Sequence, residues 1–89
     1  MLASPARILL ADDHALVRSG LRMIIDAEPD LTVVAEAADG SEALDVLDRT
    51  PADLAILDIA MPRMTGLQAA REMNRRHPHV RILDRKSVV

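Results

Sequence analysis

Asp12 and Asp13 close one apolar run, Ile8-Leu9-Leu10-Ala11, and Asp58 closes another, Leu54-Ala55-Ile56-Leu57. An apolar run that stops at a carboxylate reads as a buried strand delivering an acid to the rim of a sheet. If the two strands are parallel neighbours, all three acids meet at one end. Clustered carboxylates repel one another, and a hard divalent ion such as Mg²⁺ relieves that repulsion. The pattern therefore suggests a metal-assisted anionic site. Plainer roles exist for each residue alone. Asp13 precedes a helix and suits its N-cap, and Asp58 could be a solvated strand end. Their joint occurrence, with Met61-Pro62 and Gly66 following Asp58, favours the site.

Bringing the acids together requires strands in the right order, and the hydrophobic periodicity supplies them. Ile8 to Ala11 reads as a short buried strand. Val17, Leu21, Ile24 and Ile25 then share a helical face, with Arg18, Arg22 and Asp26 on the other side. Glu28-Pro29-Asp30 ends that helix, because the residue before a proline avoids helical angles. Leu31 to Ala37 alternates, with Leu31, Val33, Ala35 and Ala37 set against Thr32, Val34 and Glu36, which suggests a less buried, edge strand. Asp39-Gly40-Ser41-Glu42 is a helix start with Asp39 as cap and Glu42 reaching back. Ala43, Leu44 and Leu47 form its buried face, and Thr50-Pro51 stops it. Leu54 to Leu57 is the most apolar strand and hence central, and Asp58 to Thr65 is a loop. Thr65-Gly66-Leu67-Gln68 opens another helix, whose inward stripe is Leu67, Ala70 and Met73, ended by His77-Pro78. Val80 to Leu83 opens a fourth strand. The order β-α-β-α-β-α-β with short connections predicts an α/β fold: a parallel sheet, right-handed crossovers and helices on both faces. Ligands of such sheets bind beyond the carboxyl ends of the strands.

Composition narrows the function classes. The 89 residues make one small domain with a net charge of −3 and 49% hydrophobic residues. No basic stripe of a nucleic-acid binder is present, and the absence of Phe, Tyr and Trp removes base-stacking platforms. Arg71, Arg75, Arg76, Arg81, Arg85 and Lys86 read as a solvated helix face plus a polar tail. Without cysteine there are neither disulfides nor thiolate metal sites. No run approaches a membrane span, and Met1 to Arg7 carries no signal-peptide pattern, so a cytoplasmic location is expected. His14 reads as a surface residue at the start of the first helix rather than a metal ligand or phosphate carrier. His77 and His79 read as solvent-facing turn residues. Met61, Met64 and Met73 read as packing or loop filler.

The run Asp58-Ile59-Ala60-Met61-Pro62-Arg63-Met64-Thr65-Gly66, taken with Leu9-Leu10-Ala11-Asp12-Asp13-His14, resembles the receiver domain of two-component response regulators. His14-Ala15-Leu16-Val17-Arg18-Ser19-Gly20-Leu21 is more specifically similar to the NarL/FixJ subclass, which usually joins a receiver to a helix-turn-helix DNA-binding domain. The resemblance runs from residue 7 to residue 83. It implies a partial flavodoxin-like fold with strand order 2-1-3-4, a partial receiver over residues 1–83, and a polar tail, 84–89, outside the pattern. It also implies roles. Asp58 is the phosphoacceptor, charged by a sensor histidine kinase or a small phosphodonor. Asp13 and Asp58 bind Mg²⁺ directly, Asp12 helps through water, and the Ala60 backbone carbonyl is a further oxygen ligand. Met61 and Pro62 shape the loop, and Gly66 allows the turn into the next helix. The implied module is a signalling device rather than an enzyme, at most capable of Mg²⁺-dependent self-phosphorylation and dephosphorylation. DNA would be met through an output domain that these residues do not include, with no direct nucleic-acid or membrane contact here.

The chain departs from the family after Leu83. The family continues with apolar residues, a Ser or Thr, and later a lysine at the end of a fifth strand. Here the sequence reads Asp84-Arg85-Lys86-Ser87-Val88-Val89. The family's switch aromatic has no counterpart either. Slow or absent phosphorylation is therefore expected, together with exposure of part of the first helix's apolar face. An open fourth-strand edge invites self-association near residues 80 to 89 as a dimer or larger assembly. Two other readings compete: a non-phosphorylated binding or dimerisation module, and a hydrolase using Asp58 as a transient nucleophile. The latter lacks a clear downstream acid or lysine.

Overall fold

The central strands follow directly from their composition. β1 (Ala6–Ala11) and β3 (Leu54–Leu57) are apolar on both sides, as strands covered on both faces must be. The structure is a computed structural model and describes residues 4–58, 61, 64 and 66–84. Between and after these strands lie α1 (Ala15–Asp26), β2 (Leu31–Ala37), α2 (Gly40–Arg49), α3 (Gly66–Arg76) and β4 (Arg81–Asp84). The sheet is parallel, in the order β2-β1-β3-β4. This is the expected α/β architecture with the expected strand order. β3 is interior and β2 is an edge, as the run of apolar residues and the broken alternation respectively predict.

Two cores flank the sheet. Leu9 and Ala11 point to the side covered by α2 and α3, where Ala43, Leu44, Leu47, Ala69 and Met73 close over Ala55 and Leu57. Ile8 and Leu10 point to the other side, where Ile25 and Val33 meet them under α1. The predicted buried face of α2 is thus present. Asp39 caps that helix by accepting the Glu42 backbone N–H at 2.8 Å.

Three details differ from the periodicity reading. In β2 the register slips: Ile8 pairs with Val33, but Leu9 pairs with Ala35. A β-bulge at Val34 inverts the facing of every later residue. Leu31 and Val33 therefore join the α1 core, whereas Ala35 and Ala37 join the opposite one. Asp26 accepts the Val33 N–H at 2.9 Å beside the irregularity.

In α1 the buried line is Leu21 and Ile25. Val17 and Ile24 are exposed and continue an apolar stripe with Leu16 and Met23, Leu16 being 86% exposed. The expected exposure of this helix's apolar face is therefore present. α1 is turned so that Arg18 and Arg22 reach Glu36 of β2, which the bulge has placed beneath them.

In α3 the inward residues are Ala69, Ala70 and Met73, while Leu67 is exposed. With 3.6 residues per turn, Leu67 lies more than about a third of a turn off the line through 69 and 73. The start signal at Thr65 lies outside the described residues.

Two glycines behave oppositely. A Cβ on Gly40 would stand 2.5 Å from the Met64 carbonyl oxygen, to which the Gly40 N–H donates at 3.2 Å. A Cβ on Gly20, inside α1, meets nothing within 4 Å. Gly40→Ala is expected to lower stability by about 1–3 kcal/mol through forced displacement. Gly20→Ala is expected to raise it by roughly 0.5–1 kcal/mol through helix propensity. Urea unfolding of both variants checks the opposite signs.

The amino-terminal ends of β1 and β3 are tied by Asp53. Its carboxylate accepts from the Arg7 backbone N–H at 2.8 Å and pairs with the guanidinium at 3.0 Å. The Arg7 hydrogen bonds hold the Asp53 carboxyl down at about 2, from an ordinary 3.8. A depressed carboxylate stabilises the fold above its unfolded value and ceases to do so as pH falls through the folded one. The thermal-midpoint difference between the wild-type chain and Asp53→Asn should be constant above about pH 5 and shrink as pH falls from there toward 2. A difference unchanged down to pH 2 would contradict it.

Candidate metal centre

The pairing of Ala11 with Leu57 sets the site. It puts the next residues of the two strands, Asp12 and Asp58, level at the carboxyl rim. The Asp58 N–H donates to the Ala11 carbonyl at 3.0 Å, and the Asp12 N–H donates to the Ala37 carbonyl at 3.0 Å. Both side chains are 1% exposed. Asp13 turns outward and is exposed. One ligand atom from each of Asp12, Asp13, His14 and Asp58 lies within 4.8 Å of the others.

The three sequence-predicted acids are thus gathered in one place. The expected backbone ligand, Ala60, and the loop-shaping Pro62 lie outside the described residues. Met61 is buried in the α2–α3 core. The alternative use of Asp13 as a helix cap is not taken up. His14 occupies the N-cap position of α1 with extended backbone angles, and its side chain makes no cap bond. The Asp12 carboxylate accepts the His14 backbone N–H at 2.8 Å instead.

Two residues set aside by sequence reasoning belong to this rim. The His14 ring, 66% exposed, brings Nδ1 to 3.3 Å from Asp12 Oδ1 and 3.0 Å from Asp13 Oδ1. Its adjacency to the acid pair is the signal that would have found it. Arg18, assigned to the outer side of its helix, donates through Nη1 to the Asp12 backbone carbonyl at 2.5 Å and through Nε to Glu36 at 3.0 Å. It braces the turn that carries both acids. Glu36, a lone charge on an otherwise mostly apolar strand, is the sequence feature that points to it.

Elsewhere the sheet is quieter. At its amino-terminal end a cleft of about 260 Å³ is lined by residues that include Leu47, Asp48, Ala52, His77 and His79. His79 is exposed as expected. His77 is half-buried and sits 2.7 Å from Asp48, whose carboxyl this contact holds below its usual range. Arg71, Arg75, Arg76 and Arg81 are exposed, as a solvated face should be.

The response regulator receiver domain family matches residues 8–84. The chain belongs to that family. Among relatives of this receiver, the uncharacterized transcriptional regulatory protein YhcZ of Bacillus subtilis is 43% identical over 77 residues, covering 86% of this chain and 36% of that protein. The nitrate/nitrite response regulator NarL of Escherichia coli is 38% identical over 79 residues, covering 89% of this chain and 37% of NarL. The receiver therefore spans little more than a third of these relatives. In structure it resembles the CheX–CheY–BeF3–Mg²⁺ complex of Borrelia burgdorferi. That match has a TM-score of 0.83 at 27% identity, covering 89% of this chain and 60% of that one. The assignment agrees with the resemblance carried by Asp12-Asp13-His14 and the Asp58 loop. Among the described residues no helix is long and apolar enough to cross a membrane.

Proposed function

We propose that this receiver accepts a phosphoryl group on Asp58 from a phosphorylated sensor histidine kinase or a small acyl phosphate. The supporting observation is the level placement of Asp58 and Asp12 at the rim, with Asp13 and His14 donor atoms within 4.8 Å. A carboxylate oxygen of Asp58 attacks phosphorus. The new O–P bond forms as the bond to the donor's nitrogen or oxygen breaks, and the electron pair leaves with the donor. β1 and β3 hold the attacking group in place. Arg18 fixes the neighbouring turn by gripping the Asp12 carbonyl.

The donor chemistry fits a hard divalent cation: carboxylates on a shared rim, two of them buried. Asp12, Asp13 and Asp58 would hold Mg²⁺, with the Ala60 carbonyl as a further ligand. When bound, Mg²⁺ supplies charge neutralisation between the attacking carboxylate and the phosphoryl oxygens. The CheX–CheY structure, whose name includes Mg²⁺ and a beryllofluoride, supports this reading for a related fold. The relatives named as transcriptional regulators support a role in phosphorelay control of transcription for the longer protein, exercised from the cytoplasm. DNA contact would then fall to a separate output domain. The receiver portion on this reading is residues 1–83, with 84–89 a polar tail outside the family's pattern.

With Mg²⁺ and acetyl phosphate, intact mass should show one slowly added phosphoryl group on the wild-type chain and none on Asp58→Asn. A folded wild-type chain that never gains the group would favour the non-phosphorylated binding module instead. We further propose self-association of the 89-residue chain through its β4 edge, where Leu83 is exposed. Light scattering should give a dimer or larger species, and a monomer at high concentration would rule that out.

A further inference from the structure

We propose that Glu36 is a positioning residue for the rim: acting through Arg18, it sets the geometry in which Asp12 and Asp13 hold a divalent cation. The role rests on the reading that Asp12, Asp13 and Asp58 bind such an ion. It adds a residue outside the ligand set that controls how tightly they do so.

Asp12 is gripped on both sides. Its N–H donates to the Ala37 carbonyl at 3.0 Å. Its carbonyl accepts from Arg18 Nη1 at 2.5 Å, and Arg18 Nε donates to Glu36 Oε1 at 3.0 Å. The first contact holds the peptide plane between Ala11 and Asp12. The second holds the plane between Asp12 and Asp13. The backbone has only two soft dihedrals per residue, and fixing both flanking planes fixes both of them. The direction in which Asp13 leaves Asp12 is thereby set by two consecutive residues of β2, Glu36 and Ala37. Arginine suits this task because its rigid fork serves carboxylate and carbonyl at once, a geometry that the point charge of lysine does not supply.

The β2 bulge is what brings Glu36 there. Without the slip at Val34, residues 31, 33, 35 and 37 would share the α1 side, and Glu36 would face α2 and α3. With it, Ala35 and Ala37 join the opposite core and Glu36 stands beneath α1. The helix adopts its orientation at the expense of apolar contact: Leu16, Val17, Met23 and Ile24 lie exposed, while Arg18 is only 21% exposed. Partly buried ion pairs of this kind add little net stability. Stability therefore does not account for the arrangement, whereas the placement of Asp12 and Asp13 does.

Titration of the full 89-residue chain with Mn²⁺ tests this, reading the free ion by its electron-spin resonance signal. Glu36→Val suits an edge strand and removes the anchor. It should weaken Mn²⁺ binding roughly tenfold, the scale of losing a partner behind a metal ligand. Arg18→Lys should match it. Glu36→Gln keeps an oxygen for Arg18 Nε and should stay within about threefold of the wild-type chain. Arg22→Gln removes the other partner of Glu36 without touching the grip on Asp12, and should change binding by less than about twofold. Glu36→Val combined with Arg18→Lys should bind no more weakly than either alone, since both break one relay. A purely structural role predicts instead that affinity follows the loss of urea stability, Arg22→Gln included. That pattern, multiplied effects in the double variant, or wild-type affinity in both Glu36→Val and Arg18→Lys would overturn the role of Glu36 and leave the acidic site standing. A wild-type chain that binds no Mn²⁺ would overturn the site and the role with it. Should Glu36→Val fail to fold, Arg18→Lys and Glu36→Gln decide by the same criteria.

Discussion

The parallel register between β1 and β3 is the constraint from which the rest follows. Ala11 opposite Leu57 fixes Asp12 opposite Asp58. Because side chains alternate along a strand, a slip of one residue would reverse which face each of Leu54 to Leu57 presents. It would also separate the two acids. The register is held by packing on both sides at once: Leu9, Ala11, Ala55 and Leu57 in one core, Ile8, Leu10, Leu54 and Ile56 in the other. The chemistry at the rim is therefore positioned by apolar side chains that never touch it.

Setting carboxylates side by side opposes folding, and the fold tolerates it through local support. Asp12 spends one oxygen on the His14 N–H and its carbonyl on Arg18. Arg18 is held in turn by Glu36, which also pairs with Arg22. Partly buried ion pairs of this kind matter less for net stability than for fixing one geometry. Here the geometry fixed is that of the turn between β1 and α1. The orientation of α1 follows from these pairs, and its Leu16, Val17, Met23 and Ile24 stripe faces outward.

What the sequence made legible were features set by short-range chemistry. Strands covered on both faces announce themselves as apolar runs, so β3 was placed to the residue, and Asp39 capping α2 was readable from its spacing to Glu42. The three acids were readable because each terminates a run or follows one that does. What escaped depended on how layers meet. Periodicity assigns α1 an apolar inward face, but the partner strand offers Glu36, so Arg18 and Arg22 reach across to it while Val17 and Ile24 stay exposed. Spacing alone places Leu67 inward, whereas Ala69 and Met73 fill the space against α2 and Leu67 is exposed. The slip at Val34 leaves only a faint local trace, the adjacent Val33 and Val34 within the partial alternation of Leu31 to Ala37.

That bulge gives β2 a double allegiance. Its first half is rooted in the core beneath α1 and its second half in the core beneath α2 and α3, so a single edge strand is shared by both layers. Loosening either layer strips contacts from the same seven residues. The two halves of the molecule are thereby obliged to melt together, and an edge strand, ordinarily the first to fray, becomes the seam that makes unfolding cooperative.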